Sequence, residues 1–289
     1  MNIKLIGSSS DLGVSVDGSR YAPELLLSDI TDIPSENLFP EPGIIKSHSS
    51  DDMRKNEAPL NSFHSRLYSG LVSSRSEGNF TILVGGDHSC AIPSVLSSEK
   101  AYGDIGVMWI DAHTDFNTFR TTETGNIHGL PLACAAGYEC EELRAFHDGR
   151  TVDPQNVCII GARSIDSEER ENLRDAGVTV FSTEDLHTKG IREVIDEAFA
   201  VCLNGTGSVH VSFDLDVIDP SLVPGVSVPA ADGITTDEAF AVIDAVTERI
   251  NDICSFDLVE LNPLRDTDHI SKDIASEILA KMISAAQSK

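Results

Sequence analysis

The chain has 289 residues, 40% of them hydrophobic, enough to bury a substantial core in one large α/β unit or two small ones. Its 47 acidic against 21 basic residues leave a net charge of -26, which excludes the basic footprint of a nucleic-acid binder. No apolar run approaches the roughly 20 residues that span a bilayer, and the run in MNIKLIGSSSDLG is too short for a secretory signal, so a cytoplasmic protein with no membrane partner is expected. Along the chain, residues 41–62 are polar and aperiodic and read as a loop or lead-in. Near-continuous apolar runs then read as strands buried on both faces: TILVGG (81–86), IGVMWID (105–111), NVCIIGAR (156–163), VTVFS (178–182), SVHVSFDLD (208–216) and SFDLVELN (255–262). Helical patterns lie between and after them at 191–203, 235–250 and 272–287, the second opening with Thr235 and Glu238 at capping-box spacing. This alternation predicts a mainly parallel sheet covered by helices on both sides. Cys90, Cys134, Cys140, Cys158, Cys202 and Cys254 are scattered without a C-x-x-C pair and read as buried free thiols.

In a parallel sheet, ligands gather beyond the carboxyl ends of the strands. Four of the predicted strands end in acid or imidazole groups: GGDHS with His88, WIDAHTD with Asp111, His113 and Asp115, DLDVIDP with Asp214 and Asp216, and E-x-N-P with Glu260. Asp111, His113 and Asp115 alternate, the period that puts them on one strand face. Each cluster alone has a plain reading, as a turn with a capping Asp, a core histidine or a loop acid. Together they would bury so much negative charge that a positive partner is required. Four carboxylates and two imidazoles exceed one tetrahedral zinc site, and no thiolate takes part. The oxygen-rich set fits two harder divalent ions, Mn2+ before Zn2+, sharing Asp111 and Asp214. Paired ions of this kind make hydrolysis the natural reaction class.

GGDHS, DAHTD, SFDLDVIDP and the late E-x-N-P, with the opening IGSSSDLG…DGSRYAPELL, resemble the ureohydrolase family of arginases, agmatinases and their relatives. The resemblance covers nearly the whole chain. It implies a single domain over 1–289 with the three-layer α/β/α sheet of the arginase/deacetylase type. It also implies two Mn2+ ions, one held by His88, Asp111, Asp115 and Asp214, the other by Asp111, His113, Asp214 and Asp216. The stretch DFNTFRTTETGNIHGLP (115–131) is similar to the arginase loop that meets the amino-acid end of the substrate, with Asn117, Thr124 and Asn126 in those places and His128 as proton shuttle. GARSIDSEE (161–169) is similar to the segment that contacts the substrate's α-amino group, through Asp166. The implied reaction is hydrolysis of L-arginine to ornithine and urea by a metal-bridging hydroxide, with Asp115 and Glu260 as further catalytic groups and Glu260 pairing with the guanidinium. The family also implies a homo-oligomer, a trimer or hexamer.

Several positions depart from the arginase pattern. Val228 replaces a Thr whose hydroxyl lies near the guanidinium, Ser164 stands where Asp is common, and Phe119 and Arg120 are unusual. Arg120 is expected to add positive charge beside the substrate carboxylate. That charge suits arginine or a guanidino acid and disfavours agmatine, a dication without a carboxylate; with Val228 it leaves another small guanidino substrate, guanidinobutyrate or agmatine, as the second reading. A catalytically weak metal-binding regulatory homologue is the third.

Overall fold

The computed structural model describes residues 2–289; Met1, the first residue of the expected domain, lies outside them. Among the described residues, eight strands form one sheet: β1 (Ile3–Ser8), β2 (Ser35–Leu38), β3 (Phe80–Gly85), β4 (Ile105–Ile110), β5 (Val157–Ala162), β6 (Thr179–Ser182), β7 (Ser208–Asp214) and β8 (Ile253–Val259). Their order is β2-β1-β3-β8-β7-β4-β5-β6, and every neighbouring pair is parallel. Every residue of β3, β4, β5 and β8 is buried, as expected of strands covered on both faces. β2, with the sequence SENL, is a polar edge strand that pairs only with β1, and its polarity hid it from an apolar-run reading.

The helices are α1 (Ala22–Leu27), α2 (Glu57–Ser76), α3 (Ala91–Tyr102), α4 (Pro131–Ala135), α5 (Ser167–Ala176), α6 (Thr183–Lys189), α7 (Ile191–Cys202), α8 (Thr236–Thr247) and α9 (Ile270–Ser288). Side chains of α1, α6, α7, α8 and α9 share one core with the sheet, while those of α2 to α5 fill the opposite face. The three-layer α/β/α architecture is the expected one. The predicted capping box opens α8: the Thr235 N–H donates to Glu238 Oε2 (2.7 Å) and the Glu238 N–H to Thr235 Oγ (3.2 Å). The loop reading of 41–62 holds only to Asn56. From Glu57 the chain is α2, whose Leu60, Phe63, Leu67 and Leu71 recur at helical spacing and are fully buried. Serines across the rest of that helix dilute the contrast between its faces. All six cysteines are buried and unpaired.

One buried polar network links the helices to the sheet beneath the strand ends. Asp257 of β8 accepts from Ser94 Oγ (2.7 Å) and meets His210 Nε2 (2.9 Å), while His210 Nδ1 meets Ser98 Oγ (2.9 Å). The Arg75 guanidinium of α2 donates to the Ser94 carbonyl (2.8 Å) and to Ser255 Oγ (2.7 Å). Ser98, His210 and Asp257 have the bonding order of a hydrolase triad, but each is 0% exposed, so they join layers rather than meet a substrate.

Candidate active site

β3, β8, β7 and β4 are consecutive in the sheet and parallel, so their carboxyl ends open on one edge. Strands lie about 4.8 Å apart, which brings side chains from four such ends within reach of one another. His88 begins the short 3-10 turn between β3 and α3, and Asp87 caps that turn by accepting from the Ser89 N–H (2.9 Å). The His88 ring stacks on Trp109 with centroids 4.0 Å apart, and its Nε2 meets Ser212 Oγ at 2.9 Å. Those contacts aim Nδ1 at three carboxylate oxygens: Asp111 Oδ2 (3.1 Å), Asp115 Oδ2 (3.2 Å) and Asp214 Oδ2 (3.0 Å). Nδ1 is buried without a well-formed hydrogen bond, and one ring proton could serve only one of the three. Donor atoms about 2.1 Å from one ion and at right angles around it stand about 3 Å apart, so this spacing is that of a ligand shell.

Asp111 is held at both oxygens, Oδ1 accepting from the His113 N–H (2.7 Å) and Oδ2 from Trp109 Nε1 (2.9 Å). His113 Nδ1 lies 3.1 Å from Asp216 Oδ2, and Asp214 Oδ1 accepts from the Asp216 N–H at 2.8 Å. Two groups of donors result, His88–Asp111–Asp214 and Asp111–His113–Asp216, with Asp111 common to both. The route by which Asp111, His113 and Asp115 meet differs from the expectation. β4 ends at Ile110, His113 forms a parallel bridge with Ser164, and Asp115 turns back at φ 49°. The three therefore belong to a loop folded over the strand end, and do not share a strand face.

The electrostatics suit a cation. Burial pushes the Asp115 and Asp214 carboxyls well above the usual carboxylate range, and the charges of Asp111 on Asp115 and of Asp216 on Asp214 add to it. Burial also opposes ionisation of Asp111, but the neighbouring imidazoles of His113 and His88 outweigh it and hold that carboxyl low. Burial likewise disfavours the charged His113, yet Asp216 and Asp111 raise its pKa well above the ordinary value. Oxygen-rich donors with two imidazoles and no thiolate fit hard divalent ions, and such ions would relieve the crowded negative charge.

A cleft of about 200 Å³ opens beside this cluster. His113 and Asp115 form its floor, and Asn117, Thr124, Asn126, His128 and Asp166 line its walls. Asn117 Nδ2 donates to Asp166 Oδ2 (3.0 Å), which joins the loop after β4 to the start of α5. His128 Nδ1 lies 3.0 Å from Glu260 Oε1, which also accepts from the His88 N–H (2.8 Å). Glu260 Oε2 is buried with no donor, and Glu260 itself sits at φ 67°. Left-handed backbone at Asp115 and Glu260 is strain of the kind found at functional positions.

Ser164 and Val228 both line the cleft. Arg120 does not: its side chain is 78% exposed and pairs with Glu139, so its expected charge beside the cleft is absent. Sequence reasoning missed Trp109 and Ser212, which orient His88, and Thr122 and Glu169 in the cleft wall. Glu169 was legible as the fourth residue of a D-x-x-E capping pattern, and its Oε1 accepts from the Phe116 N–H (2.8 Å).

The model of the Arginase family matches residues 1–284. The chain is 32% identical to an arginase of Bacillus subtilis (strain 168) over 289 residues, covering 97% of each protein. The solved arginase of Bacillus caldovelox superposes with a TM-score of 0.87 at 30% identity, covering 97% of both chains. An Entamoeba histolytica arginase solved in complex with L-ornithine gives a TM-score of 0.87 at 26% identity, covering 98% of both.

Proposed function

Because the chain belongs to the arginase family, we propose that it hydrolyses L-arginine to ornithine and urea at a centre of two Mn2+ ions. His88, Asp111, Asp115 and Asp214 would hold one ion, and Asp111, His113, Asp214 and Asp216 the other. The observation that carries the reading is the cleft: donor groups suited to divalent ions form its floor, and the walls carry the polar groups an α-amino acid needs. When bound, the ions supply Lewis acidity and an activated water at neutral pH. Asp115 would accept a hydrogen bond from the nucleophilic water and so set its direction. Glu260 offers Oε2, which has no donor among the described residues, to the planar guanidinium and holds its carbon in line. Asn117, Thr124 and Asn126 bind the substrate's amino-acid end, and Asp166 takes the α-amino group. His128, half-buried at the wall and hydrogen-bonded to Glu260, passes a proton between the leaving amine and solvent. The same reading makes residues 1–289 one ureohydrolase domain and the protein a cytoplasmic homo-oligomer, a trimer or hexamer, which light scattering of the metal-loaded protein tests.

Val228 in the cleft wall favours a second reading, since an isopropyl group replaces a hydroxyl that would otherwise meet the guanidinium. 4-Guanidinobutyrate and agmatine, which carry the same guanidinium on a different chain, are the alternative substrates. Urea release by the Mn2+-loaded protein from L-arginine, agmatine and 4-guanidinobutyrate decides between them. The highest kcat/KM is expected for L-arginine; a higher value for either other compound would replace it as substrate. His128→Asn is expected to lower kcat about 10- to 100-fold with metal content retained. Unchanged kcat would remove the shuttle role.

A further inference from the structure

We propose that Lys55 selects substrates that carry a carboxylate, acting as a positioning residue behind Asn126 and Thr124; this rests on the arginine reading above. Lys55 lies in the irregular segment just before α2 and is only 4% exposed. Its ammonium donates to the Thr124 carbonyl and to Asn126 Oδ1 (3.3 Å). Among the described residues, no carboxylate oxygen comes within 4.0 Å of it. Lys46, by contrast, meets Asp11 (3.4 Å) and Asp17 (2.9 Å). An ammonium withdrawn from water without a counter-charge is costly, and such groups persist where something else compensates them.

The local geometry points that compensation toward the cleft. An ammonium only donates, so Lys55 fixes the Asn126 amide with Oδ1 toward itself. The Ser15 hydroxyl meets the same oxygen at 2.6 Å. The amide nitrogen is left for the cleft, which Asn126 lines, and two donors on Oδ1 polarise that N–H into a stronger donor. A second, independent feature holds the loop against the lysine segment. Gly125 sits at φ 70°, and a Cβ there would lie 2.4 Å from the Asp52 carbonyl, so only glycine allows the close approach. A buried positive charge behind an Asn donor favours a carboxylate in front of it and disfavours agmatine, a dication that lacks one. Lys55 thus fills the role that Arg120, exposed and paired with Glu139, does not.

The test compares the Mn2+-loaded wild type with Lys55→Met and Lys55→Arg on L-arginine and agmatine, and measures the melting-temperature rise given by L-ornithine and by putrescine. For Lys55→Met, KM for arginine is expected to rise about tenfold or more with kcat within about threefold, and the arginine-to-agmatine ratio of kcat/KM to fall about tenfold. Stabilisation by L-ornithine is expected to shrink while that by putrescine does not. Lys55→Arg is expected to keep the wild-type ratio within about threefold, since it restores the charge. Equal losses on both substrates would make Lys55 a structural residue only, and an unchanged ratio would likewise overturn the proposal. Should Lys55→Met lose the wild-type melting temperature, Lys55→Gln is read in the same way. A wild type silent on arginine would overturn the arginine reading itself, whereas an arginine-active wild type with an unchanged Lys55→Met ratio overturns only the role of Lys55.

Discussion

Asp214→Asn is expected to lower turnover of the Mn2+-treated protein by about 10³-fold or more and yet to raise the melting temperature of the metal-free protein. Both effects come from one carboxylate. Asp214 Oδ2 stands 3.0 Å from His88 Nδ1 within a donor group, so the amide removes an anionic ligand. Asn Oδ1 can still accept the Asp216 N–H that Asp214 Oδ1 accepts at 2.8 Å, so the turn survives. Burial and the neighbouring Asp216 raise the Asp214 carboxyl well above its ordinary value in the folded state. A carboxyl with a raised folded pKa is bound to its proton more tightly when folded, so it costs stability once the pH exceeds the unfolded value. That cost grows from the ordinary carboxylate range upward and is present at neutral pH. The uncharged amide avoids it, so the stability gain should be largest near neutrality and vanish at low pH, where Asp214 is protonated in both states. Added Mn2+ should reverse the order, raising the melting temperature of the wild type far more than that of the variant. Full metal content in Asp214→Asn, measured by elemental analysis, would refute its place as a ligand. An unchanged metal-free melting temperature would refute the charge-crowding argument.

The second large effect is expected far from the cleft. Asp257→Ala should cost about 3–5 kcal/mol, the range for leaving a buried cation, here the Arg75 guanidinium, without its nearby negative charge. His210 Nε2 would lose its 2.9 Å partner, Ser94 Oγ its 2.7 Å acceptor, and the buried Arg75 guanidinium the nearby negative charge. For a chain of this size the melting temperature should fall by roughly 5–15 °C, read by calorimetry of the metal-loaded protein. A fall of under about 2 °C would show that the network contributes little. The strain would also reach the site, because β8 carries Asp257 in its interior and Glu260 just beyond its end.

Much of this architecture is written locally. The apolar runs that became β3, β4, β5 and β8 are hydrophobic on both faces, which by itself requires a covered parallel sheet, whereas the run that became β6 forms a sheet edge with only Phe181 buried. Thr235 and Glu238 announce α8 because both partners of a capping box lie within one helical turn. His88, Asp111, His113, Asp115, Asp214, Asp216 and Glu260 were legible as a set because each lies at or a few residues beyond the end of a buried strand, and parallel strands put such ends on one edge. Less local features were misread. α2 begins inside a stretch that looked like a loop, since serines blur its periodicity and its stripe gains meaning only against the sheet. Arg120 was expected at the cleft from its position in the loop, yet the fold turns it outward to Glu139.

Sequence by itself thus determined six of the eight strands, their mainly parallel arrangement and the acid and imidazole groups at the rim, because those follow from runs of a few residues; β1 and β2 were not among them. Only the tertiary structure decided how those groups are oriented and which charges are buried beside them. Trp109 and Ser212 aim His88 from neighbouring strands, and Lys55 reaches Thr124 and Asn126 across 69 and 71 residues of chain. A side chain's burial and the partners it finds there are set by segments distant in sequence, and no local pattern encodes them.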